Sequence, residues 1–510
     1  MNNKISNNER IAKNTLILYF RMFLIMGITL YTSRIIFRTL GISDFGIYNV
    51  VGGIVAMFGF LNSAMTLGTQ RFLNYEMGKN DLKGLKNVFS MSVNIHFIIS
   101  IVVLVLAETL GLWFLNTKLN IPIERIRIAN WVYQFSILSF IITIIQVPYN
   151  AVIIAHEQMN IYAYISIVEV LLKLLIAYLL VLISIDKLKL YGVLFFAVTL
   201  TIALIYGIYC INKYEESRFS LFWNKKLFID IMGFSGWNLF GQIAQVSTTQ
   251  GVNMVLNVFQ GVVINAAVGI TNQVNGAITS FVNNFQTAFR PQIVKLYASN
   301  EGKKMNNLVF RSSKFSFFLL YLISIPIIFN IEFILKIWLG DYPAYSPIFC
   351  ELLILYSYLD AIGMPLVIAI MASGQNRNYQ IIVSIVIFLN IIFSYIFLRL
   401  GFKPEIAFYI KIFLSIFVLS TRMYFSKRQS DISLKEFSLK VLYPSSLIFA
   451  LSYPLIRIVK IYFYNNISLI FTTLLIEIFL LLIIYLWGMN SAEKLYVNNL
   501  ILKVYKRYAK

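Results

Sequence analysis

Runs of about 20 apolar residues recur from one end of this 510-residue chain to the other, each long enough to cross a hydrocarbon core roughly 30 Å thick. Lipid offers the backbone no hydrogen-bond partner, so a spanning segment must satisfy its own N–H and C=O groups as a helix or join a closed barrel. Barrel strands alternate with period two, whereas these runs are solidly apolar, which selects helices. Charged residues make up 13% of the chain, about half the share of a soluble protein. The sequence therefore predicts an all-α polytopic membrane protein with about 14 transmembrane helices. Their expected limits are 14–38, 45–68, 88–115, 126–148, 161–184, 190–212, 231–255, 262–289, 312–338, 346–372, 379–400, 405–424, 437–460 and 467–489.

The polar, basic start "MNNKISNNERIAKN" precedes an apolar segment without a small-residue cleavage site, which reads as a retained first span. With that start placed in the cytoplasm, the inner segments hold about 28 Lys and Arg and the outer ones about nine, so both termini are expected to face the cytosol. The net charge of +21 is thereby explained by topology and by attraction to anionic headgroups, not by nucleic acid. No connection exceeds roughly 25 residues, which leaves no room for a soluble domain on either side.

"TQRFLNYEMGKNDLKGLKNVFSMS" and "AFRPQIVKLYASNEGKKMNNLVFRSS" share an order of features: an Arg ending a helix, a Tyr, a Gly and Lys cluster, then Asn. Their arginines, Arg71 and Arg290, are 219 residues apart. This hints at internal duplication, a common transporter design. The expected organisation is a six-helix lobe over 1–212, a second over 213–424, and two additional helices with a basic cytoplasmic tail over 425–510.

Two helices break the apolar rule. Asn238, Gln242, Gln245, Thr249, Asn253 and Asn257 recur at intervals of 4, 3, 4, 4 and 4, and Asn272, Asn275, Thr279, Asn283, Gln286 and Arg290 at 3, 4, 4, 3 and 4. Each set forms one helical face, and the first runs for roughly 28 Å, nearly the membrane depth. Amides facing lipid cost several kcal/mol each, so such faces must meet protein or water. One or two amides suffice for interhelical contact; two long stripes suggest the wall of a water-filled cavity.

Charges also lie within apolar runs: Arg21, Arg34 and Arg38 on the first span, Glu108 on the third, Glu169 and Lys173 one turn apart on the fifth, Asp360, Lys411 and Glu477 on later ones. A charge at the bilayer centre costs about 3 kcal/mol on insertion scales and so faces protein or water. Arg34 and Arg38 have snorkelling to headgroups as an alternative, and Glu169 with Lys173 an internal ion pair. The cationic excess suits an anionic passenger such as a phosphate or pyrophosphate headgroup, and amides suit a hydroxyl-rich one. Pro326 and Pro365 interrupt two spans and permit kinks. No phosphate loop, G-x-S-x-G elbow or HExxH is present, no His/Cys/carboxylate set has metal-ligand spacing, and no loop carries paired carboxylates, so no enzyme class is indicated.

"SRIIFRTLGISDFGIYNVVGG", "GTQRF", "QVPYNAVIIAHEQMNIYAY" and "FQTAFRPQIVKLYASNEGKK" resemble the bacterial Wzx-type polysaccharide flippases of the multidrug/oligosaccharidyl-lipid/polysaccharide exporter superfamily. The carrying motif is L-G-x-x-x-F-G-x-Y: Leu40, Gly41, Phe45, Gly46 and Tyr48. The resemblance implies two six-helix lobes around a central cavity. It also implies translocation of an undecaprenyl-pyrophosphate-linked oligosaccharide, an O-antigen or capsule repeat unit in lipopolysaccharide or capsule biosynthesis, from the inner to the outer leaflet of the bacterial cytoplasmic membrane. A polysaccharide polymerase and a chain-length regulator are the partners such a role brings, beside the lipid-linked oligosaccharide and membrane lipids. No cofactor is expected, with proton or sodium coupling left open. On this reading Arg21, Arg34, Arg38, Lys173, Arg290 and Lys411 attract the headgroup. Asn238, Gln242, Gln245, Asn253, Asn272, Asn275 and Asn283 line the sugar path. Asp360 or Glu169 couples an ion. In "NAVIIAHEQMN" the sequence departs from the pattern, since relatives often carry a basic residue there and only a protonated His156 could replace it. The rivals are a multidrug exporter of the same superfamily, which requires an anionic cavity, a membrane polysaccharide polymerase, which requires a large outer loop, and a non-transporting scramblase or assembly partner.

Overall fold

The computed structural model describes residues 7–498 except 60–64, 66–68, 70–71, 74, 78–80, 157, 374, 376, 464–468, 492 and 496–497. Every element among the described residues is helical. In chain order the principal helices are α1 (Asn7–Ala56), α2 (Leu82–Thr117, with a π turn at Ala107–Gly111), α3 (Ile126–Ala155), α4 (Met159–Leu182) and α5 (Lys187–Lys213). Next come α6 (Lys225–Gln260), α7 (Val262–Ala298), α8 (Gly302–Phe329), α9 (Ile331–Leu339) and α10 (Ser346–Ala372). The last are α11 (Arg377–Arg399), α12 (Ile406–Ser430), α13 (Tyr443–Phe463) and α14 (Leu469–Ile483).

Eleven described helices are long and apolar enough to cross a membrane, against the 14 or so expected. The difference has three sources. The first two expected spans are continuous in α1, broken only where Gly41 takes φ 75° and ψ 173°. The other two are α6 and α7, which are long enough but carry the amide stripes and fall outside the apolar set. The corner between α6 and α7 is also a glycine, Gly261, at φ 73° and ψ −169°. Two glycine corners of the same backbone shape, each in a left-handed region that side chains avoid, thus open the two sequence stretches that hint at duplication. Arg71 lies outside the described residues.

The chain divides into two compact units: residues 1–270, 338–345 and 388–407, and residues 271–337, 346–387 and 408–510. The first has a core of Met65, Met91, Ile95, Ile99, Val103, Ile144 and Ile231. The second includes a cluster of Val367, Ile370, Tyr379, Val383, Val418 and Phe425. Pro326 and Pro365 both lie inside helices, α8 and α10. Outside these cores, long apolar side chains such as Leu204, Ile208, Leu474 and Ile478 are about half exposed, as expected of surfaces that meet hydrocarbon rather than water.

Candidate functional site

In the first unit, the L-G-x-x-x-F-G-x-Y motif builds a junction. Gly41 breaks α1; Phe45 turns inward onto Phe37 with ring centroids 5.2 Å apart. Gly46 lies where a Cβ would collide with the Val262 carbonyl, so only glycine allows α1 to approach the start of α7 this closely. Tyr48 packs edge-on against Tyr191 at 4.7 Å. Between Gly41 and Phe45, buried Asp44 receives the Arg125 guanidinium in a bidentate pair, and Arg125 reaches Asp186 at 2.6 Å as well. One arginine thereby ties α1 to the starts of α3 and α5.

The amide stripe of α6 ends beside this junction in a protein contact. Asn257 donates to Asn265 Oδ1 at 2.6 Å, Asn265 donates to the Asn253 carbonyl and side chain at 2.8 Å each, and Asn257 Oδ1 accepts from the Asn120 N–H at 2.8 Å. Asn253, Asn257 and Asn265 are all buried. This corrects the expectation for Asn253: its side chain closes the corner between α6 and α7 instead of standing open on a wall. Asn238, Gln242 and Gln245 lie on α6, and their side chains are outside the described residues.

The first-unit charges are also placed. The side chain of Arg21 lies outside the described residues. Arg34 is half-buried and makes no ion pair or hydrogen bond among the described residues. Arg38 is exposed, but its Nε donates to the Leu339 carbonyl at 2.9 Å, which caps the end of α9 beside Gly340. Trp338 donates to the Leu30 carbonyl at 2.8 Å, so residues 338–345 are strapped to α1 at two points. Glu169 and Lys173 pair with each other at 2.5 Å, with the ammonium 5.5 Å from the Phe195 ring. The ion-coupling role expected of Glu169 and the headgroup role expected of Lys173 therefore start from mutually neutralised groups. His156 is likewise engaged, at 2.6 Å from buried Glu216 and stacked on Tyr214 at 4.1 Å.

The second unit gathers its polar residues where α7, α8, α10 and α12 meet. Gln286 is buried and donates to Ser316 Oγ and the Ala361 carbonyl, both at 3.0 Å. Asn275 accepts from Ser357 at 2.9 Å. Next to Ala361, Asp360 pairs with Arg422 at 2.9 Å, and one turn earlier the Tyr356 ring lies 4.4 Å beneath the Lys411 ammonium. Asp360 thus has a counter-ion that the sequence analysis did not name. The missed signal was spacing: Lys411 and Arg422 are 11 residues apart on α12, three turns, and so share a face. Asn272, Asn283 and Arg290 are exposed on α7 and retain an open face. Among the described residues no group of His, Cys, Asp or Glu could hold a metal ion.

The fold defines a multi-pass helical membrane protein with polar residues inside its apolar helices. No protein-family model matches the chain, and no curated protein is similar to it in sequence. Solved structures do share its fold, and these neighbours are MATE transporters and a MurJ flippase, all of the MOP superfamily. The lipid II flippase MurJ in an inward closed conformation matches 92% of this chain and 97% of its own at 15% identity, with a TM-score of 0.66. An inward-facing multidrug resistance MATE family transporter matches 79% of this chain and 95% of its own at 14% identity, TM-score 0.61. A MOP superfamily transporter from Pyrococcus furiosus, whose binding pocket is described as reversed in polarity, matches 83% and 96% at 14% identity, TM-score 0.53.

Proposed function

We propose that the chain is a flippase that carries an undecaprenyl-pyrophosphate-linked oligosaccharide, an O-antigen or capsule repeat unit, from the inner to the outer leaflet of the cytoplasmic membrane. The supporting observation is which charges remain after internal pairing. Among the described residues, Glu169, Asp360, Asp44, Asp186, Glu351 and Glu493 all have cationic partners, whereas Glu108 accepts only from Gln134 and Glu477 has no cationic partner. Arg34 and Arg290 have no anionic partner among the described residues, and Lys411 rests on an aromatic ring. Cations without a counter-ion attract phosphate or pyrophosphate and disfavour a cationic drug. Asn272, Asn275 and Asn283 supply donors and acceptors for hydroxyls; Asn238, Gln242 and Gln245 continue that role along α6.

Coverage points the same way. The lipid II flippase accounts for 92% of the chain and the MATE structures for 79–83%. A multidrug exporter remains the second reading because several neighbours are MATE transporters. The deciding experiment is reconstitution in liposomes with a fluorescent pyrophosphate-linked oligosaccharide. Flipping should fall roughly tenfold in Arg34→Ala and in Lys411→Ala, a loss of about 1.4 kcal/mol of attraction. Unchanged flipping in both would remove the electrostatic mechanism.

A further inference from the structure

The segment joining α5 to α6 is expected to lie outside the hydrocarbon on the cytosolic side, yet it displays large apolar side chains. Phe219 is 47% exposed, Leu221 96% and Trp223 58%. The display is built, because the backbone between them is extended and pinned. Glu216 turns inward to His156 at 2.6 Å; the Ser220 N–H meets Ser90 Oγ at 3.2 Å; the Phe222 carbonyl accepts from Asn94 at 2.7 Å; Asn224 caps α6 at the Leu227 N–H. In extended chain, side chains alternate. Ser220 and Phe222 point inward, so Phe219, Leu221 and Trp223 share the outward face.

Cations surround that face. Lys213, Arg218, Lys225 and Lys226 are all exposed, against exposed Glu215 and Asp230, while Glu216 is buried and turns inward to His156. The Lys213 ammonium is held by the Tyr209 hydroxyl at 2.9 Å, at the mouth of a groove of about 600 Å3 lined by Ile205, Ile208, Tyr209, Asn212 and Lys213. The groove runs into the exposed apolar flank of α5, where Leu204 is 54% and Ile208 59% exposed. An acyl-facing flank so near in sequence to this cation-flanked apolar face favours a lipid occupant over a soluble protein.

We propose that residues 213–226 form a membrane anchor that binds anionic lipid headgroups of the leaflet it faces, with Phe219, Leu221 and Trp223 inserted at the headgroup–acyl boundary and a lipid acyl chain in the α5 groove. Apolar tips flanked by Lys and Arg bind such interfaces by burial and by attraction to anionic lipid together. Each cation near the surface contributes roughly fivefold in partitioning. The anchor is independent of what the protein transports.

The test uses the full chain with Leu221→Cys carrying an NBD fluorophore, since Cys210 and Cys350 are buried and resist labelling. Labelled protein is placed in nanodiscs of phosphatidylcholine alone and of phosphatidylcholine with phosphatidylglycerol, and iodide quenching is measured. The expected result is a blue-shifted emission, with shielding from iodide that increases severalfold with phosphatidylglycerol. In the R218Q/K225Q/K226Q variant that increase disappears. These three side chains make no ion pair among the described residues, so the variant is expected to keep its melting temperature, which is checked alongside. A label as accessible to iodide in both discs as in detergent overturns the anchor and leaves the face to a soluble partner. Shielding that is equal with and without phosphatidylglycerol overturns the anionic selectivity.

Discussion

Asp44 and Asp186 share one guanidinium, and this cluster has a pH dependence of definite sign. Burial raises the Asp186 pKa, but the Lys189 N–H and the Arg125 guanidinium outweigh burial and hold the carboxyl below its usual range. A carboxyl with a lowered folded pKa binds its proton more readily in the unfolded chain. Its contribution is therefore complete above the unfolded value, about 4, and fades as pH falls from there through the folded value. Asp186 also caps α5 through the Lys189 N–H at 3.0 Å, and Asn caps a helix as well as Asp, so Asp186→Asn removes the charge alone. The variant should be less stable by about 1 kcal/mol at neutral pH, and that gap should narrow as pH drops below about 4. Melting curves of both proteins in detergent across that range check it; a gap that stays constant would show that the charge contributes nothing. The sequence carried no sign of this cluster, because its three members lie 61 and 81 residues apart. The Glu169–Lys173 pair, by contrast, was legible from its one-turn spacing alone.

At the scale of helices, periodicity gives the amides of α6 and α7 a common face, and contacts divide the described ones into two kinds. Periodicity places Asn253, Asn257, Asn272 and Asn283 on the inward sides of α6 and α7, yet only contacts decide between interhelical glue and a wet wall. Asn253, Asn257 and Asn265 are glue, and Gln286 is too; Asn272 and Asn283 stay exposed. Asn265 lies across the Gly261 corner, two turns before the first amide counted in the α7 stripe, so its partnership with α6 required the fold. The two kinds of amide should respond differently to truncation. Asn257→Ala leaves the Asn120 N–H and Asn265 Oδ1 without their partners in a buried place, which costs about 1–3 kcal/mol. Asn272→Ala should leave stability within about 0.5 kcal/mol, as exposed sites do, and lower flipping instead. Thermal denaturation and a flipping assay on the same two variants separate the cases; equal destabilisation would make the whole of α7 structural. The glycine motif behaves likewise. Its spacing was visible, and its reason, the collision a Cβ at Gly46 would have with Val262, required the fold.

For the whole molecule, composition alone established the helical membrane class, since no other structure satisfies so many apolar runs in lipid. Composition did not reveal which charges cancel. Lys173 pairs with Glu169, the ion pair that their spacing offered as an alternative; Asp360 has Arg422 in contact, and that arginine's side chain is only 10% exposed. Pairing occupies Glu169 and Asp360, while Arg34 and Arg290 have no counter-ion among the described residues. Two substrates of opposite sign in one vesicle preparation should therefore be treated differently. A pyrophosphate-linked oligosaccharide should be flipped, and its flipping should be inhibited by soluble pyrophosphate and by rising salt, because surplus cations are screened over roughly 8 Å at physiological ionic strength. A cationic dye such as ethidium should not be moved under either a proton or a sodium gradient. Asp360→Asn sharpens the contrast: it frees the Arg422 charge, so flipping should persist, while the variant loses about 2 kcal/mol of stability from an arginine without its counter-ion. Gradient-driven dye movement that vanishes in Asp360→Asn, with no oligosaccharide flipped, would instead assign this fold to drug export.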